Sequence, residues 1–454
     1  LFGGVSLQKH KLSRNIKFNL ILFGFVGQVA WSMENIYFNT FLFNYIGGST
    51  KDISRMVAYS AATAVVTTFV MGALSDKLGK RKSFISIGYI IWGLSVVSFA
   101  FISRENIARL FGLSQTASII VATVSVVIIM DCVMTFFGST ANDAAFNAWV
   151  TEVTEPENRG TAEGILAVMP ILATIIVTAA FGAGVAVLGY PPCFLGLGIL
   201  VSLSGLVGLL SLRESAKSEK AQSNYWADLF YGFKPSVIKQ YSDLYLILTA
   251  VGIFGVAVQI FFPYLLIYLE HYLGLSLNNI NISPKTAVFA GLALVIFIGG
   301  AIGLGKLVDK FGKDRFVYLA VFIFILGLFA AFFAKKASVF GLTALVFFGG
   351  YGFLMIILNA TVRDYTPEDR VGLFQGIRMI FFVLLPMLIG PTLGNGVIEF
   401  FANNHDLGIY VNEFGEEVLV PVPEIFPAAG LVALFIIIPL LLMKRNKRVK
   451  ANNP

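Results

Sequence analysis

Twelve runs of about twenty mainly apolar residues, separated by short charged connections, leave this chain few ways to fold. A helix needs about that length to cross a hydrocarbon core about 30 Å thick. The runs centre on residues 18–45, 56–75, 83–102, 120–150, 161–188, 192–212, 243–269, 286–305, 316–334, 338–362, 372–399 and 424–443. The fourth is too long for one straight crossing and is expected to begin outside the bilayer or to break near Gly138. Only 13% of the 454 residues are charged, about half the usual share of a soluble domain, so their side chains cannot coat an aqueous surface. The expected class is an all-α membrane protein of twelve transmembrane helices in two pseudo-symmetric six-helix bundles.

The cations set the orientation. Of 33 Lys and Arg, 25 fall in residues 1–17, the alternate connections after even-numbered spans, and the tail, while seven lie in the connections on the other side. The remaining one, Arg378, lies within a span. The positive-inside rule therefore places both termini in the cytoplasm, and the tail Lys444-Arg445-Asn446-Lys447-Arg448 anchors the last helix there. A plasma-membrane location is expected, with the bilayer as the main partner. The net charge of +7 gives no nucleic-acid signature, because the basic residues form short clusters between apolar runs. No cleavable signal peptide is expected, since the first apolar run is a full span. The chain opens on Leu1 and not on Met, which leaves room for an upstream segment.

The connection 213–242 is the longest and most polar on the cytoplasmic side. It separates a bundle of residues 1–212 from a second of 243–454 that ends in the basic tail. Its stretch from Asn224 to Tyr241 mixes aromatic residues with Lys234 and Lys239, a composition suited to an interfacial helix.

An internal repeat supports the two-bundle reading. Gly72-Ala73-Leu74-Ser75-Asp76-Lys77-Leu78-Gly79-Lys80-Arg81-Lys82 follows span 2, and Gly305-Lys306-Leu307-Val308-Asp309-Lys310-Phe311-Gly312-Lys313-Asp314-Arg315 follows span 8. A second pair follows spans 4 and 10: Asn147 to Thr154 with Pro156-Glu157-Asn158-Arg159, against Asn359 to Thr366 with Pro367-Glu368-Asp369-Arg370. An aspartate at a helix C-terminus opposes the helix dipole, so Asp76 and Asp309 need a cation or a helix N-terminus beside them.

The G-x-L-x-D-x-x-G-[RK]-[RK] element and its echo resemble the signature of the major facilitator superfamily, and the resemblance covers the whole chain. It implies the major facilitator fold, two six-helix bundles rocking around a central site. It also implies a conformational role for Gly72, Asp76, Gly79, Lys80 and Arg81, and by pseudo-symmetry for Gly305, Asp309, Gly312 and Lys313. Residues 138–164 loosely resemble glycoside–pentoside–hexuronide cation symporters. The span 2 carboxylates which that family uses for sodium are missing, so a proton is favoured over sodium as the coupling cation. Gly390-Pro391-Thr392-Leu393-Gly394, in span 11, is read as a packing or kinking device.

Ionisable residues within spans are costly and become functional candidates. Glu34, Asp131, Asp143 and Arg378 are assigned to proton coupling or gating. Counting from Glu152 and Arg370 places Asp143 about 14 Å and Arg378 about 12 Å from the cytoplasmic face, so a gating ion pair between them is geometrically open. Glu34 lies deeper, where burial disfavours a charged carboxylate and suits a proton carrier. Asp131 is expected near the outer surface and in solvent.

In span 1, Gln28, Trp31, Ser32, Asn35 and Asn39 share one helix face. Amides that donate and accept, beside an indole ring, suit a hydroxyl-rich small-molecule substrate. Asn142 and Asn147, Gln259 and Tyr264, Asn359 and Gln375 extend the substrate-binding set, although interhelical packing explains any single amide as well.

The chain is not expected to be an enzyme. It shows no metal-ligand spacing, nucleophile motif or phosphate loop, so neither cofactor nor metal is expected. The favoured reading is a monomeric secondary transporter importing a sugar or glycoside by proton symport. Alternatives are a proton-driven exporter of amphipathic compounds and a non-transporting membrane sensor or scaffold.

Overall fold

A computed structural model describes residues 12–214, 230–275, 313–367 and 374–452. Apart from one small hairpin, the regular elements are helical. Among the described residues, ten helices are long and apolar enough to cross a membrane, and Phe316–Phe332 is a shorter apolar helix. The expected eighth span, 286–305, lies outside the described residues.

The crossing helices of the first half are α1 (Arg14–Phe38), α2 (Thr50–Leu78), α3 (Arg81–Phe99), α5 (Thr116–Val153), α6 (Gly164–Leu188) and α7 (Tyr190–Ser211). A short amphipathic helix, α4 (Arg104–Phe111), stands between α3 and α5. The second half has α8 (Pro235–Gln240), α9 (Ser242–Tyr272), α10 (Lys313–Phe332), α11 (Ala337–Tyr365), α12 (Gly376–Asn404) and α13 (Ile425–Val449). Strands β1 (Ile409–Val411) and β2 (Glu417–Leu419) pair antiparallel, with Ile409 opposite Leu419.

The fourth run neither stops nor breaks at Gly138. It is one helix of 38 residues in which Ser139–Phe146 is wound as a π segment. The motif turns also have visible work. Gly79 takes a left-handed φ of 63° to close the turn into α3. After α5, Glu155 and Asn158 form a reciprocal capping box around Pro156, which starts the next helix.

The chain divides into two compact units: residues 1–46 with 62–225, and residues 47–61 with 226–454. In the first, α3 and α7 approach through glycines. A Cβ at Gly198 would sit 2.6 Å from the Gly93 carbonyl, and one at Gly205 would sit 2.6 Å from that of Ser86. Small residues let backbones meet where lipid supplies no hydrophobic drive for association. Ser202 Oγ donates to the Ile90 carbonyl across that seam, at 3.0 Å. The start of α1 meets the end of α7, where Asn15 Nδ2 donates to the Ser211 carbonyl at 2.9 Å. Both ends therefore lie on one face of the unit, called here its terminal face.

In the second unit, Gly255, Gly390 and Gly394 join α9 to α12. A Cβ at Gly390 would meet the Val256 carbonyl at 2.8 Å, so the Gly390–Gly394 element does pack two helices tightly. Phe426 packs among Phe261, Tyr268, Phe340 and Phe347. Asn446 Nδ2 donates to Asp243 Oδ1 at 2.8 Å and ties the end of α13 to the start of α9. The hairpin carrying β1 and β2 has no counterpart in the sequence reading. It is held by His405, whose Nε2 lies 2.9 Å from Glu424 Oε1.

Of the expected interfacial stretch 224–241, the described part begins at residue 230. Pro235 begins α8, a turn at Tyr231–Phe233 precedes it, and 215–229 lie outside the described residues. This part of the connection rests on Phe374, which contacts Tyr231 and Tyr241 edge-on at 6.0 and 5.3 Å.

Candidate functional site

The amides of α1 are bound in a common way, and the π segment Glu34–Phe38 interrupts the regular face that the spacing from Gln28 to Asn39 suggested. Asn35 Nδ2 donates to the Trp31 carbonyl at 2.8 Å, and Asn39 Nδ2 to the Asn35 carbonyl at 3.2 Å. Asn147 and Asn359 do the same, each to the carbonyl four residues earlier, at 3.1 and 2.9 Å. A carbonyl can only accept, so each of these amides donates through its nitrogen to its own helix, which leaves its oxygen uncommitted to that bond. Asn39 Oδ1 is buried and has no hydrogen-bond partner. Gln28 and Trp31 are half-buried and Asn35 is exposed. Trp31 lies against Trp92 with ring centroids 4.9 Å apart, and neither buried indole N–H is hydrogen-bonded. Gly138 makes room for this pair: a Cβ there would be 2.8 Å from Trp92 and 2.9 Å from Trp31.

Three of the four ionisable candidates lie in or beside irregular winding, and Asp131 lies in regular α-helix. Glu34 opens the π segment Glu34–Phe38, Asp143 lies in Ser139–Phe146, and Arg378 precedes Ile380–Leu384. π turns are frequent at functional sites because they redirect side chains out of the α-helical phase. Glu34 is buried and accepts from Thr135 Oγ1 of α5 at 3.2 Å. Asp131, one turn from Thr135, is only 1% exposed, which overturns its expected place in solvent. The helix begins at Thr116, so Asp131 stands about four turns from its start and is buried against its neighbours.

Asp143 accepts from Ser139 Oγ at 2.9 Å within its own helix. The Arg378 guanidinium lies over the Phe382 ring, 5.4 Å from its centroid. Asp143 and Arg378 belong to different units.

Two expected substrate side chains are engaged by protein groups. Asn142 Nδ2 donates to Tyr89 Oη at 2.7 Å, and Tyr89 in turn donates to the Phe23 carbonyl at 2.8 Å, joining α1, α3 and α5. Tyr264 Oη donates to the Pro391 carbonyl at 2.7 Å. Gln259 is half-buried; Gln375 begins the helical winding that continues into α12.

On the terminal face of the first unit, Arg81 reads both repeated motifs at once. Its guanidinium bonds Asp76 and Ser75 from the first motif, and its Nε donates to Glu152 Oε1 of the second at 2.9 Å. This supplies the cation that Asp76 needs at its helix end. Glu152 was not singled out by sequence, although it stands in the second repeated element. Of the second copy, Gly305, Asp309 and Gly312 lie outside the described residues, and Lys313 begins α10. No metal-holding group of His, Cys, Asp or Glu occurs among the described residues.

Several known proteins are similar to this chain. The chain is similar over 95% of its length to a bacterial homolog of the human lysosomal transporter Spinster in an inward-facing, unoccupied conformation, with 14% identity and a TM-score of 0.69 over 98% of that chain. It is similar to the nucleoside transporter NupG, with 12% identity and a TM-score of 0.67 over 94% of this chain and 98% of that one. A stretch of 78 residues is 40% identical to the 4-hydroxybenzoate transporter PcaK of Pseudomonas aeruginosa, covering 17% of either chain. The model of the Major Facilitator Superfamily matches residues 20–391 and 286–454. The chain therefore belongs to the Major Facilitator Superfamily, and it is a multi-pass membrane transporter, not an enzyme.

Proposed function

We propose that the chain is a proton-coupled symporter of a small hydroxyl-rich solute, a sugar or glycoside, working by alternating access as a monomer in the plasma membrane. Both termini are cytoplasmic in this reading, because residues 1–17, the connections after even-numbered spans and the tail hold 25 of the 33 Lys and Arg. The observation that carries it is the set of back-bonded amides on α1, α5 and α11. Their oxygens are fixed as acceptors before any ligand arrives, which reduces the entropy lost on binding a solute rich in O–H donors. The Trp31 ring adds a flat apolar surface of the kind a pyranose stacks on. NupG, which shares the fold, is a nucleoside transporter.

A thermal-shift screen of the purified protein against sugars, nucleosides, peptides and lipophilic cations tests the proposal. Stabilisation by sugars or glycosides is expected; stabilisation by lipophilic cations alone would sink it.

Glu34 is proposed as the proton carrier, with Asp131 beside it in the same unit. Asp143 and Arg378 are proposed as an ion pair that closes the cytoplasmic side. Asp143→Arg or Arg378→Asp alone is expected to stop accumulation of the solute found in the screen, and the double swap to restore it. Persistent loss in the double swap counts against the pair.

A further inference from the structure

One stripe of α13 is apolar and exposed along its length, and it ends in cations. Leu431, Leu434, Phe435, Ile438, Leu441 and Leu442 are exposed at spacings of three and four residues, which hold them on one side of the helix. Arg445 and Arg448 continue the same spacing and are exposed too. Helical winding carries on to Asn452, so these cations stand on a rod.

Beside it, α10 shows a stripe of its own in Leu319, Phe322 and Leu326, all exposed. The two helices pack together, since a Cβ at Gly430 of α13 would be 2.9 Å from the Phe329 ring of α10. About three turns further along, Lys444 Nζ lies 5.9 Å from the centroid of the Tyr318 ring of α10. Lys447, one turn beyond, lies 5.9 Å from that of Tyr365 at the end of α11. Asn446, between the two lysines, is the residue that holds Asp243.

A tail that only stops a helix from sliding needs positive charge. It does not need that charge seated on the rings of two neighbouring helices. An ammonium over a ring is drawn to the π face, yet its other N–H donors point elsewhere. Long side chains held in this way have less freedom to lose when an anion arrives.

We propose that the edge of the second unit between α10 and α13 binds an anionic phospholipid. Lys444 and Arg445 hold its phosphate, Lys447 and Arg448 stand one turn above, and its acyl chains lie on Leu441, Leu442, Leu319 and Phe322. The order along the stripe decides the class of ligand. A soluble phosphate would use the cations and leave the apolar residues uncovered. A zwitterionic lipid would cover them but bring a further positive charge to a place that already holds four. An anionic phospholipid matches both parts, with the guanidinium of Arg445 offering phosphate two parallel donors. Once bound, a single headgroup ties together the ends of α10, α11 and α13. The inference rests on the chain spanning a membrane and on neither the solute nor the proton.

The test uses the full chain in detergent, with phosphatidylglycerol as the probe. Phosphatidylcholine of the same acyl chains and inorganic phosphate are the comparisons. Melting temperature and the lipid retained in native mass spectrometry are both followed. Phosphatidylglycerol is expected to raise the melting temperature and to stay bound at lower concentration than phosphatidylcholine, and inorganic phosphate to do little. A cation near a membrane surface contributes about fivefold to lipid binding, so Lys444→Gln with Arg445→Gln should weaken retention about 25-fold. Both side chains are exposed, and without lipid this variant should melt within a degree of the parent. Lys335→Gln with Lys336→Gln removes the same charge at the other end of α10 and α11 and should leave retention unchanged. Equal retention of the two lipids overturns the site. So does stabilisation by inorganic phosphate as large as that by phosphatidylglycerol, which would mark a site for any anion. An equal loss in the Lys335, Lys336 variant would reduce the effect to net charge and overturn it as well.

Discussion

Replacing Arg81 with Met is expected to destabilise the protein by about 3 kcal/mol, the lower end for removal of one partner from a buried ion pair. The lower end applies because Asp76 keeps a third of its side-chain surface exposed, while Arg81 keeps 6% and Glu152 18%. The loss is not that of two attractive contacts. It is the cost of leaving two carboxylates side by side in a site built around a cation, one of them at a helix C-terminus that already repels it. The melting temperature of the purified protein should fall by about 5 °C, since a kcal/mol moves a large domain by a few degrees at most. Adding Asp76→Asn and Glu152→Gln to the Met variant should recover most of that loss, because no charge is then stranded. Arg81→Lys should rescue little: one ammonium cannot reach Ser75, Asp76 and Glu152 in the directions a guanidinium fork does. A melting temperature of Arg81→Met within a degree of the parent would show that the cluster contributes nothing to stability.

Glu34→Gln is expected to bring pH-gradient-driven accumulation in proteoliposomes down to background while solute exchange continues. Gln keeps the shape of Glu and an oxygen to accept from Thr135, so the contact between α1 and α5 survives. What disappears is the ability to take up a proton. Exchange of labelled for unlabelled solute does not need net proton movement and serves as the control for folding and binding. A Glu34→Gln protein that still concentrates the solute as well as the parent removes Glu34 from coupling. If both activities vanish together, Glu34 is a structural or binding residue.

How far the sequence could be read depended on whether the signal was local. The apolar runs and the motif glycines are local, and the helices fall where the runs do. The need of Asp76 for a cation was legible from its place at a helix end, but its partner was not. Arg81 is five residues away and was read for its motif, and nothing in the spacing ties Glu152 to the same guanidinium. Asn142 and Tyr264 show the opposite failure. A polar side chain in a span looks the same in sequence whether it faces a solute or a carbonyl on the next helix, and for both it is the carbonyl or hydroxyl of a neighbour that holds it. Asp131 was misplaced because its position along a run does not tell which side of the helix its side chain lies on, and in the fold it is buried. The π segments were invisible as well. Each shifts the phase of the helix beyond it, so the stripe from Gln28 to Asn39 drawn at regular spacing is regular only as far as Glu34.

The length of α5 carries one more consequence. Thirty-eight residues of helix extend about 57 Å, against about 30 Å of hydrocarbon and about 45 Å with the headgroups. A helix of that length brings at least one of its ends to the level of the lipid phosphates, and Glu152 sits in its last turn. Phosphate is the natural competitor for a guanidinium at such a level, and Arg81 is withheld from it by burial. Lys77 and Lys80, exposed on the same turn, are not. Anionic lipid would then gather at the two lysines and leave the arginine to its carboxylates, so that membrane composition tunes how the turn is anchored without dissolving the cluster inside it.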